Sequence, residues 1–244
     1  GFVNNNNNNY VSWNWKANGS GSSNTNGSIT STVSANVDAG FSIVSYTGNG
    51  SNATVGHGLS KAPEMIHIKN RADADSWLSF YTVVDGSLDY MYLNLTNART
   101  NAEGISVPTS SVFSLDSGNS SNGSSDAIIA YCFHSVDGYS KVGSYTGNGV
   151  AGDGAFVYTG FRPKFVLIKR TNSAGQAAPI FDSARSTFNI ANKGLKSNSS
   201  NAEITTDGGV DLLSNGFKAN QNDGEVNSDG GIYIYLAFAE TPFK

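Results

Sequence analysis

The residues best suited to chemistry are aromatic and acidic side chains in the first third of the chain. Trp77 follows the turn Asp73-Ala74-Asp75-Ser76, and Tyr81 lies four positions further on. An aromatic ring stacks on the flat apolar face of a sugar, and carboxylates accept hydrogen bonds from its hydroxyl groups. The sequence therefore predicts a glycan-binding surface formed by Trp77, Asp73, Asp75 and Tyr81.

The same aromatic residues also have a structural interpretation. Aromatic residues at alternate strand positions commonly form the core of a β-sandwich. Both interpretations apply to a wider set of residues, which comprises Trp13, Trp15, Trp77, Tyr81, Tyr90 and Tyr92.

A loop before the last apolar run carries many oxygen atoms. Its residues Asn220, Asn222, Asp223 and Glu225 are of the types that bind Ca²⁺ through oxygen. The loop lacks the distal bidentate Glu of a calcium-binding loop, so a plain β-turn is the favoured alternative. Beyond this weak calcium site, no cofactor is expected.

The sequence contains no recognisable catalytic motif. His57, His67 and His134 have no zinc-binding spacing, and no G-x-S-x-G sequence marks a nucleophile. Paired carboxylates for glycoside cleavage remain an alternative, because only the fold brings such pairs together. We predict that the protein is not an enzyme.

Composition excludes two classes of partner. The 244 residues include 15 Lys and Arg against 19 Asp and Glu, a net charge of −4, and no basic run. Binding to a nucleic-acid backbone is therefore not expected. No run of eighteen apolar residues occurs, so no membrane span is expected. The single cysteine, Cys132, cannot form an intrachain disulfide.

The chain contains an internal repeat. The sequence Ser-Tyr-Thr-Gly-Asn-Gly occurs at 45–50 and again at 144–149, and similar apolar runs follow each copy at 62–69 and 162–169. Further matches pair Phe113 with Phe217, with the offset growing from 99 to 105 residues. Small offsets of this kind fit loop insertions between tandem copies of one unit.

Short runs rich in Val, Ile, Phe, Tyr and Thr between Gly and Asn clusters predict strands throughout. We expect an all-β fold of two tandem antiparallel β-sandwich domains of the jelly-roll or lectin-like type. The expected boundaries are an Asn/Ser/Gly-rich N-terminal arm at 1–38, a first repeat at 39–137 and a second repeat at 138–244. Only 185–196 is expected to hold a helical turn.

Two strands and several turns carry more detailed expectations. Alternation in 65–69 and 165–169 places Ile66, Ile68, Val166 and Ile168 in the core. Asn-Gly pairs at 18–19, 26–27, 49–50, 122–123 and 215–216 predict turns with positive φ.

The N-terminal segment from Tyr10 to Lys16 alternates aromatic or β-branched residues with small or polar ones. This pattern predicts a strand, which is either the end of a preceding repeat or a strand added to a neighbouring subunit.

The repeated Ser-Tyr-Thr-Gly-Asn-Gly, the runs Gly-His-Gly-Leu and Ala-Pro-Glu-Met-Ile-His-Ile-Lys, and the closing Tyr-Ile-Tyr-Leu-Ala-Phe-Ala-Glu-Thr-Pro-Phe resemble a known group of sequences. They are similar to uncharacterised repeated β-domains of virion proteins from marine tailed bacteriophages, including tail-fibre-like and other structural proteins. The resemblance extends from about Tyr10 to Phe243. It implies a virion surface location outside the cell, contacts with other virion proteins and a homo-oligomer, and it brings no catalytic residues.

Two functions are consistent with these observations. The first is a tail-fibre or adhesin module that attaches to a host-surface glycan or receptor. The alternative is a capsid decoration, head-fibre or tail subunit whose role is architectural only.

Overall fold

The computed structural model describes residues 5–240, apart from the side chains of residues 204 and 206–208. Within this range the chain forms eighteen strands and one helical turn, α1, at Asn119–Asn122. The expected all-β sandwich fold is confirmed. The expectation of a helical turn within 185–196 is wrong, because Ala191–Lys196 forms a strand that pairs on both sides. No helix within residues 5–240 is long and apolar enough to span a bilayer.

Ten strands form the first half of the chain, and all their pairings stay within residues 22–133. Their bounds are β1 Ser22–Asn24, β2 Ser31–Asn36, β3 Phe41–Thr47, β4 Ala53–Gly56, β5 Met65–Asn70, β6 Leu78–Tyr81, β7 Asp89–Tyr92, β8 Thr100–Asn101, β9 Val112–Leu115 and β10 Ala127–Phe133.

Eight strands form the second half, and all their pairings stay within residues 140–239. Their bounds are β11 Ser140–Thr146, β12 Phe156–Tyr158, β13 Pro163–Arg170, β14 Pro179–Asp182, β15 Ala191–Lys196, β16 Ile204–Leu213, β17 Gly216–Ala219 and β18 Ile232–Ala239.

Five strands of the large sheet have the same order in both halves. The series β3-β10-β5-β6-β7 in the first half corresponds to β11-β18-β13-β14-β15 in the second. The antiparallel pair β4 and β9 corresponds to β12 and β17. The halves differ at β16, which pairs with both β15 and β17 and so joins the large sheet to the smaller layer. The first half has only the two-residue β8 beside β7.

Each half has a hydrophobic core between its large sheet and its smaller pair of strands. Ile66 and Ile68 pack against β4 and β9 in the first core, and Val166 and Ile168 occupy the second core. All four residues are buried, which confirms their predicted core positions.

A third cluster joins the two large sheets face to face. It contains Met65 and Phe133 from the first half and Phe165, Leu167 and Phe238 from the second. The large sheets are therefore apolar on both faces, as is usual for strands covered on both sides. Because this cluster packs the two halves together, the structure does not show them as separate domains. The boundary between two domains near residue 138 remains a prediction.

Residues 8–18 form no strand within the chain, and pairing of this segment with a neighbouring subunit remains a prediction. Trp13 and Trp15 pack edge-on against Phe165 at 5.6 and 5.5 Å between ring centroids. The Trp13 Nε1–H donates to Asp182 Oδ2 at 3.2 Å, and the Arg185 guanidinium lies over the Trp13 ring. Within the chain, the alternating aromatic pattern therefore reflects packing of Trp13 and Trp15 on a sheet face.

The repeated Ser-Tyr-Thr-Gly-Asn-Gly sequence forms the same hydrogen-bonded lock in each half. In the first half, the amides of Asn49 and Asn122 bond each other, with Asn122 Nδ2 donating to Asn49 Oδ1 at 3.1 Å. Asn122 Oδ1 accepts the Asn49 N–H at 2.9 Å. The Tyr46 hydroxyl donates to the Ser121 carbonyl at 2.7 Å. Asn122 is fully buried.

The second half repeats each of these contacts. Asn227 Nδ2 donates to Asn148 Oδ1 at 3.0 Å, and Asn227 Oδ1 accepts the Asn148 N–H at 3.1 Å. The Tyr145 hydroxyl donates to the Val226 carbonyl at 2.6 Å. The repeated sequence therefore bonds the end of the first strand of each repeat, β3 or β11, to the loop before its last strand, β10 or β18.

The Asn-Gly turns are of two kinds. Gly19 and Gly50 have the expected positive φ, but Gly27, Gly123 and Gly216 do not. At Gly123 the reason for glycine is close approach, because a Cβ there would lie about 2.0 Å from Asp126 Oδ2.

Candidate functional site

A groove of about 620 Å³ opens at one edge of the first half. It lies where β8 ends after two residues, so no strand joins β7 to β9 as β16 joins β15 to β17. Its apolar side is formed by the inner faces of β6 and β7 and by Ile105, namely Leu78, Phe80, Tyr90, Tyr92 and Ile105. The incomplete sheet therefore leaves the end of the first core accessible.

Strand pairing positions the aromatic residues of this groove. Phe80 lies directly opposite Tyr90, and Leu78 lies opposite Tyr92, in the antiparallel pair β6–β7. The Tyr90 and Tyr92 rings are 6.0 Å apart and nearly perpendicular, at 82°. Both rings are half-buried. Burial raises the pKa of the Tyr92 hydroxyl, with smaller contributions from Tyr90 and Asp75, so this hydroxyl is protonated at neutral pH and can donate a hydrogen bond.

A polar rim faces the aromatic side. It comprises backbone and side-chain groups of Thr100, Asn101, Glu103, Asp116, Asn119 and Ser120. Asp116 Oδ1 accepts the Gly118 N–H at 2.9 Å and the more distant Ser121 hydroxyl at 3.5 Å. Asn122 Nδ2 donates to the Asp116 carbonyl at 2.9 Å. The same asparagine that locks the repeat therefore holds the rim in place.

The groove is electrostatically one-sided. Among the residues that the structure describes, its lining contains the carboxylates of Glu103 and Asp116 and no Lys, Arg or His. A ring-lined groove with carboxylate, amide and hydroxyl groups on one rim can stack a sugar ring and bind its hydroxyl groups. Its charge favours a neutral or cationic ligand over an anionic one.

A protein family described as "Domain of unknown function (DUF7483)" matches residues 1–242. The chain belongs to this family. The DUF7483 match includes both halves and every residue of the groove. No curated protein and no solved structure matches the chain.

Of the four residues predicted to bind a glycan, Tyr81 does not share a surface with the others in the DUF7483 fold. Asp73 is exposed, and Asp75 and Trp77 are half-buried. Trp77 stacks on Tyr131 at 6.1 Å, on the face of the sheet opposite to the groove. Tyr81 is only 1% exposed and lies between the two sheets. Because Tyr81 is enclosed, it cannot contribute to a surface that also contains Asp73.

All three tryptophans of the DUF7483 chain line a second cavity, of about 370 Å³, between the two large sheets. Trp13 and Trp15 close one side, and Trp77 and Tyr131 lie on another. Its walls are almost wholly apolar, so it offers few partners for the hydroxyl groups of a sugar. Tyr90 and Tyr92, from the wider aromatic set, therefore form the better sugar platform.

The loop expected to hold calcium is closed by its own bonds. Asp223 Oδ1 accepts the N–H groups of Glu225 and Val226 at 2.9 and 3.0 Å, which forms a turn. Glu225 Oε1 pairs with Lys196 Nζ at 2.5 Å. Asn222 is exposed, and Asn220 Nδ2 is buried. The neighbouring ammonium group disfavours a cation here, so the geometry fits the β-turn alternative.

The histidines have structural surroundings. His57 Nδ1 accepts the Leu59 N–H at 3.1 Å, while His57 Nε2 lies 3.1 Å from the Thr109 carbonyl. Burial lowers the pKa of His57. Among the residues that the structure describes, no group of three or more His, Cys, Asp or Glu side chains could hold a metal ion.

The sequence contained only part of the signal for the groove. Tyr90, Tyr92 and Glu103 could be singled out by residue type, but Asp116, Asn119 and Ser120 could not. Asp116 directly follows β9, and Asn119 and Ser120 lie in the one-turn helix α1 that comes next. Nothing in the residue types of this segment indicates that it borders the groove.

Proposed function

We propose that this DUF7483 protein is a non-enzymatic virion surface protein, a phage tail-fibre or adhesin module that attaches to a host-surface glycan. The observation that carries the proposal is the groove in which Tyr90 and Tyr92 face the carboxylates and amides of 103–120. The resemblance of the repeated motifs to phage virion β-domains supports the setting. The extracellular virion surface is the location that this function requires.

The chemistry of the groove narrows the ligand to a neutral or amino sugar. Within residues 5–240, two carboxylates and no cationic side chain line the groove. A uronic acid or sialic acid unit would bring a third carboxylate next to Glu103 and Asp116, and like charges at close range are repelled. An ammonium group on a sugar would instead face both carboxylates and the tyrosine rings.

Calorimetric titration with three oligosaccharides of equal length tests this proposal. We expect a neutral hexose oligomer and a glucosamine oligomer to bind, and a uronic acid oligomer to bind at least tenfold more weakly. Glu103→Gln is expected to weaken the glucosamine oligomer more than the neutral one, because Glu103 is exposed and contributes mainly charge.

Aromatic variants test the site itself. Tyr90→Ala and Tyr92→Ala should each lower affinity at least tenfold, whereas Tyr10→Ala, at a half-exposed ring outside the groove, should leave it unchanged. Thermal unfolding midpoints show whether each variant is folded. Equal binding by wild type and both groove variants would contradict the site, and release of reducing ends from a bound polysaccharide would contradict the non-enzymatic role.

A second function, as a capsid decoration, head-fibre or tail subunit with an architectural role only, is favoured by a different observation. Phe156, Tyr158 and Phe188 expose apolar rings on the second half, at 49%, 66% and 84%. Exposed apolar groups of this kind are common where subunits associate. Imaging of intact particles, together with host-cell adsorption by the purified protein, separates the two roles: a regular lattice without cell binding would favour architecture.

A further inference from the structure

Strand β12 ends the sheet of the second half and has one free edge. It pairs with β17 only, through Val157 opposite Phe217. The Ala155 carbonyl accepts the Ala219 N–H, and the Thr159 N–H donates to the Asn215 carbonyl. Backbone groups alternate in direction along a strand, so the N–H and C=O groups of Phe156 and Tyr158 point away from β17. No hydrogen bond within residues 5–240 engages them.

The equivalent edge in the first half is covered by the chain itself. Val55 of β4 lies opposite Phe113, as Val157 lies opposite Phe217, so Thr54 corresponds to Phe156. The Thr54 N–H donates to Ser28 Oγ at 2.9 Å, and the Thr54 carbonyl accepts the Ile29 N–H at 3.0 Å.

The covering segment also reaches the residue that corresponds to Tyr158. That residue is Gly56, and the hydroxyl of Ser31 donates to its carbonyl at 2.9 Å. The repeat unit is thus built to have an extended segment along this edge, and the second half supplies none within the described residues.

The exposed face beside this edge combines aromatic rings with one charged row, in which Phe156 lies opposite Lys218 and Lys218 lies opposite Asp211. Phe156 and Tyr158 point outward from it, while Val157 points into the core. Across the sheet, Tyr158 lies opposite Gly216, and Gly216 lies opposite Leu213. The side chain of Asn189 bonds the backbone of Leu212, and the neighbouring Phe188 is 84% exposed.

The edge strand itself, Phe156–Tyr158, carries none of the charges that usually protect an edge strand. Natural edge strands are commonly protected by lysine or proline, yet residues 155–159 read Ala-Phe-Val-Tyr-Thr. The nearest flanking charge, Lys218, is neutralised by Asp153 at 2.7 Å. A second copy of the same edge therefore brings no repulsion.

We propose that β12 is an interface between two copies of this chain, in which the two β12 strands pair antiparallel about a two-fold axis at Val157. Phe156 of one copy then lies opposite Tyr158 of the other, and each opposed pair exchanges two backbone hydrogen bonds. The interface contains four such bonds and two cross-strand aromatic pairs, and it joins the two sheets into one. A closed two-fold dimer is the commonest arrangement for such a self-complementary surface.

Site-directed disulfides test this register. The only native cysteine, Cys132, is fully buried and does not interfere. Residues opposed in a hydrogen-bonded pair have Cα atoms about 5.5 Å apart, which a disulfide can bridge, whereas Phe156 lies about 7–8 Å from its own symmetry mate. A mixture of differently tagged Phe156→Cys and Tyr158→Cys proteins should therefore cross-link mainly as the mixed dimer under mild oxidation.

Sedimentation equilibrium of the uncrosslinked protein provides the second measurement. We expect a concentration-dependent dimer whose dissociation constant rises at least tenfold in Tyr158→Lys. Val107→Lys, a matched change at a residue 46% exposed in the first half, should leave the constant unaltered. A wild type that stays monomeric at 200 µM, a dimer insensitive to Tyr158→Lys, or equal cross-linking of like and mixed pairs would each overturn the proposal.

Discussion

Acid should weaken the contact between the two large sheets through His67. This side chain lies on the face of β5 that packs against the second half, and it is only 8% exposed. Its ring meets the Phe133 ring edge-on at 5.8 Å, and its Nδ1 has no hydrogen-bond partner within residues 5–240. Lys169 of the second half lines the same small cavity. Burial lowers the pKa of His67 to about 4.

The sign and size of the effect follow from this shift. A histidine in the unfolded chain has a pKa of about 6.5, so between pH 6.5 and 4 the unfolded state binds a proton that the folded state does not. Stability that is present above pH 6.5 is therefore lost on acidification. For this pair of pKa values, the free energy of unfolding falls by about 2 kcal/mol from pH 7.5 to 5 and by about 3 kcal/mol at pH 4.

Urea denaturation of wild type and His67→Leu at pH 7.5 and pH 5 measures this loss. Leucine is the residue at the equivalent position of the second half, Leu167, and it suits an apolar contact between sheets. We expect the wild type to lose about 2 kcal/mol more than His67→Leu between the two pH values. The contribution of His57, whose pKa is also lowered, is common to both proteins and cancels. An equal loss in both proteins would refute the reasoning.

Further predictions concern the asparagine contacts of the repeat, the close approach at Gly48 and the buried Lys169. Asn122→Ala and Asn227→Ala should each lower the free energy of unfolding by about 2–4 kcal/mol in urea titrations, because each leaves buried polar groups without partners, whereas the exposed Asn222→Ala should change it by less than about 0.5 kcal/mol. Gly48→Ala should cost at least about 2 kcal/mol in the same titration, since its Cβ would lie about 2.2 Å from the Gly123 carbonyl oxygen. Lys169, whose pKa burial lowers to about 8, adds stability as pH rises from 8 towards 10, so the free energy of unfolding of the wild type relative to Lys169→Met should be higher at pH 10 than at pH 8 in denaturation curves.

The core positions could be predicted for one face of each sheet and not for the other. Alternation identified Ile66 and Ile68 as core residues, but for Met65 and His67 it indicated only that they lie on the opposite face of the strand, and it did not predict their burial. In the second half, the unbroken apolar run Phe165-Val166-Leu167-Ile168 is typical of a strand buried on both faces. That run is the signal that a second sheet covers the first, and the single histidine in the first repeat concealed it.

The repeat itself was visible in the sequence, but its purpose was not. The offset between the repeats grows from 99 residues at Asn49 and Asn148 to 105 residues at Asn122 and Asn227. These are the partners of the two locks. The signal was a second pair of equivalent asparagines beyond the obvious motif, and it becomes meaningful only once the fold brings the two segments of each half together.

The groove exists because the first half lacks a counterpart of β16, and no residue pattern reveals this. Tyr90 and Tyr92 are accessible because the first half has only two residues of strand beside β7. In the second half, the ten-residue β16 occupies this place and connects the layers. A sequence with two similar repeats predicts two similar folds. The additional strand of the second half falls where the two repeats differ in length, and such a difference in sequence looks the same as a longer loop.

The two halves thus differ in complementary ways, and the differences coincide with the two surfaces proposed to bind partners. The first half has a covered edge at β4, because Ser28 and Ile29 lie along it, and an open groove beside β7. The second half closes the corresponding groove with β16 and leaves the edge of β12 free.

If pairing of β12 edges joins two copies, each dimer carries two open grooves on its first halves. Weak binding of single sugars would then become strong attachment to a surface that displays many of them, because the second contact forms at a high effective concentration. Tyr158→Lys should accordingly weaken adhesion to a glycan-coated surface while leaving calorimetric affinity for a soluble oligosaccharide unchanged. Equal adhesion by variant and wild type would contradict the link between β12 pairing and adhesion, and it would leave the glycan-binding groove unaffected.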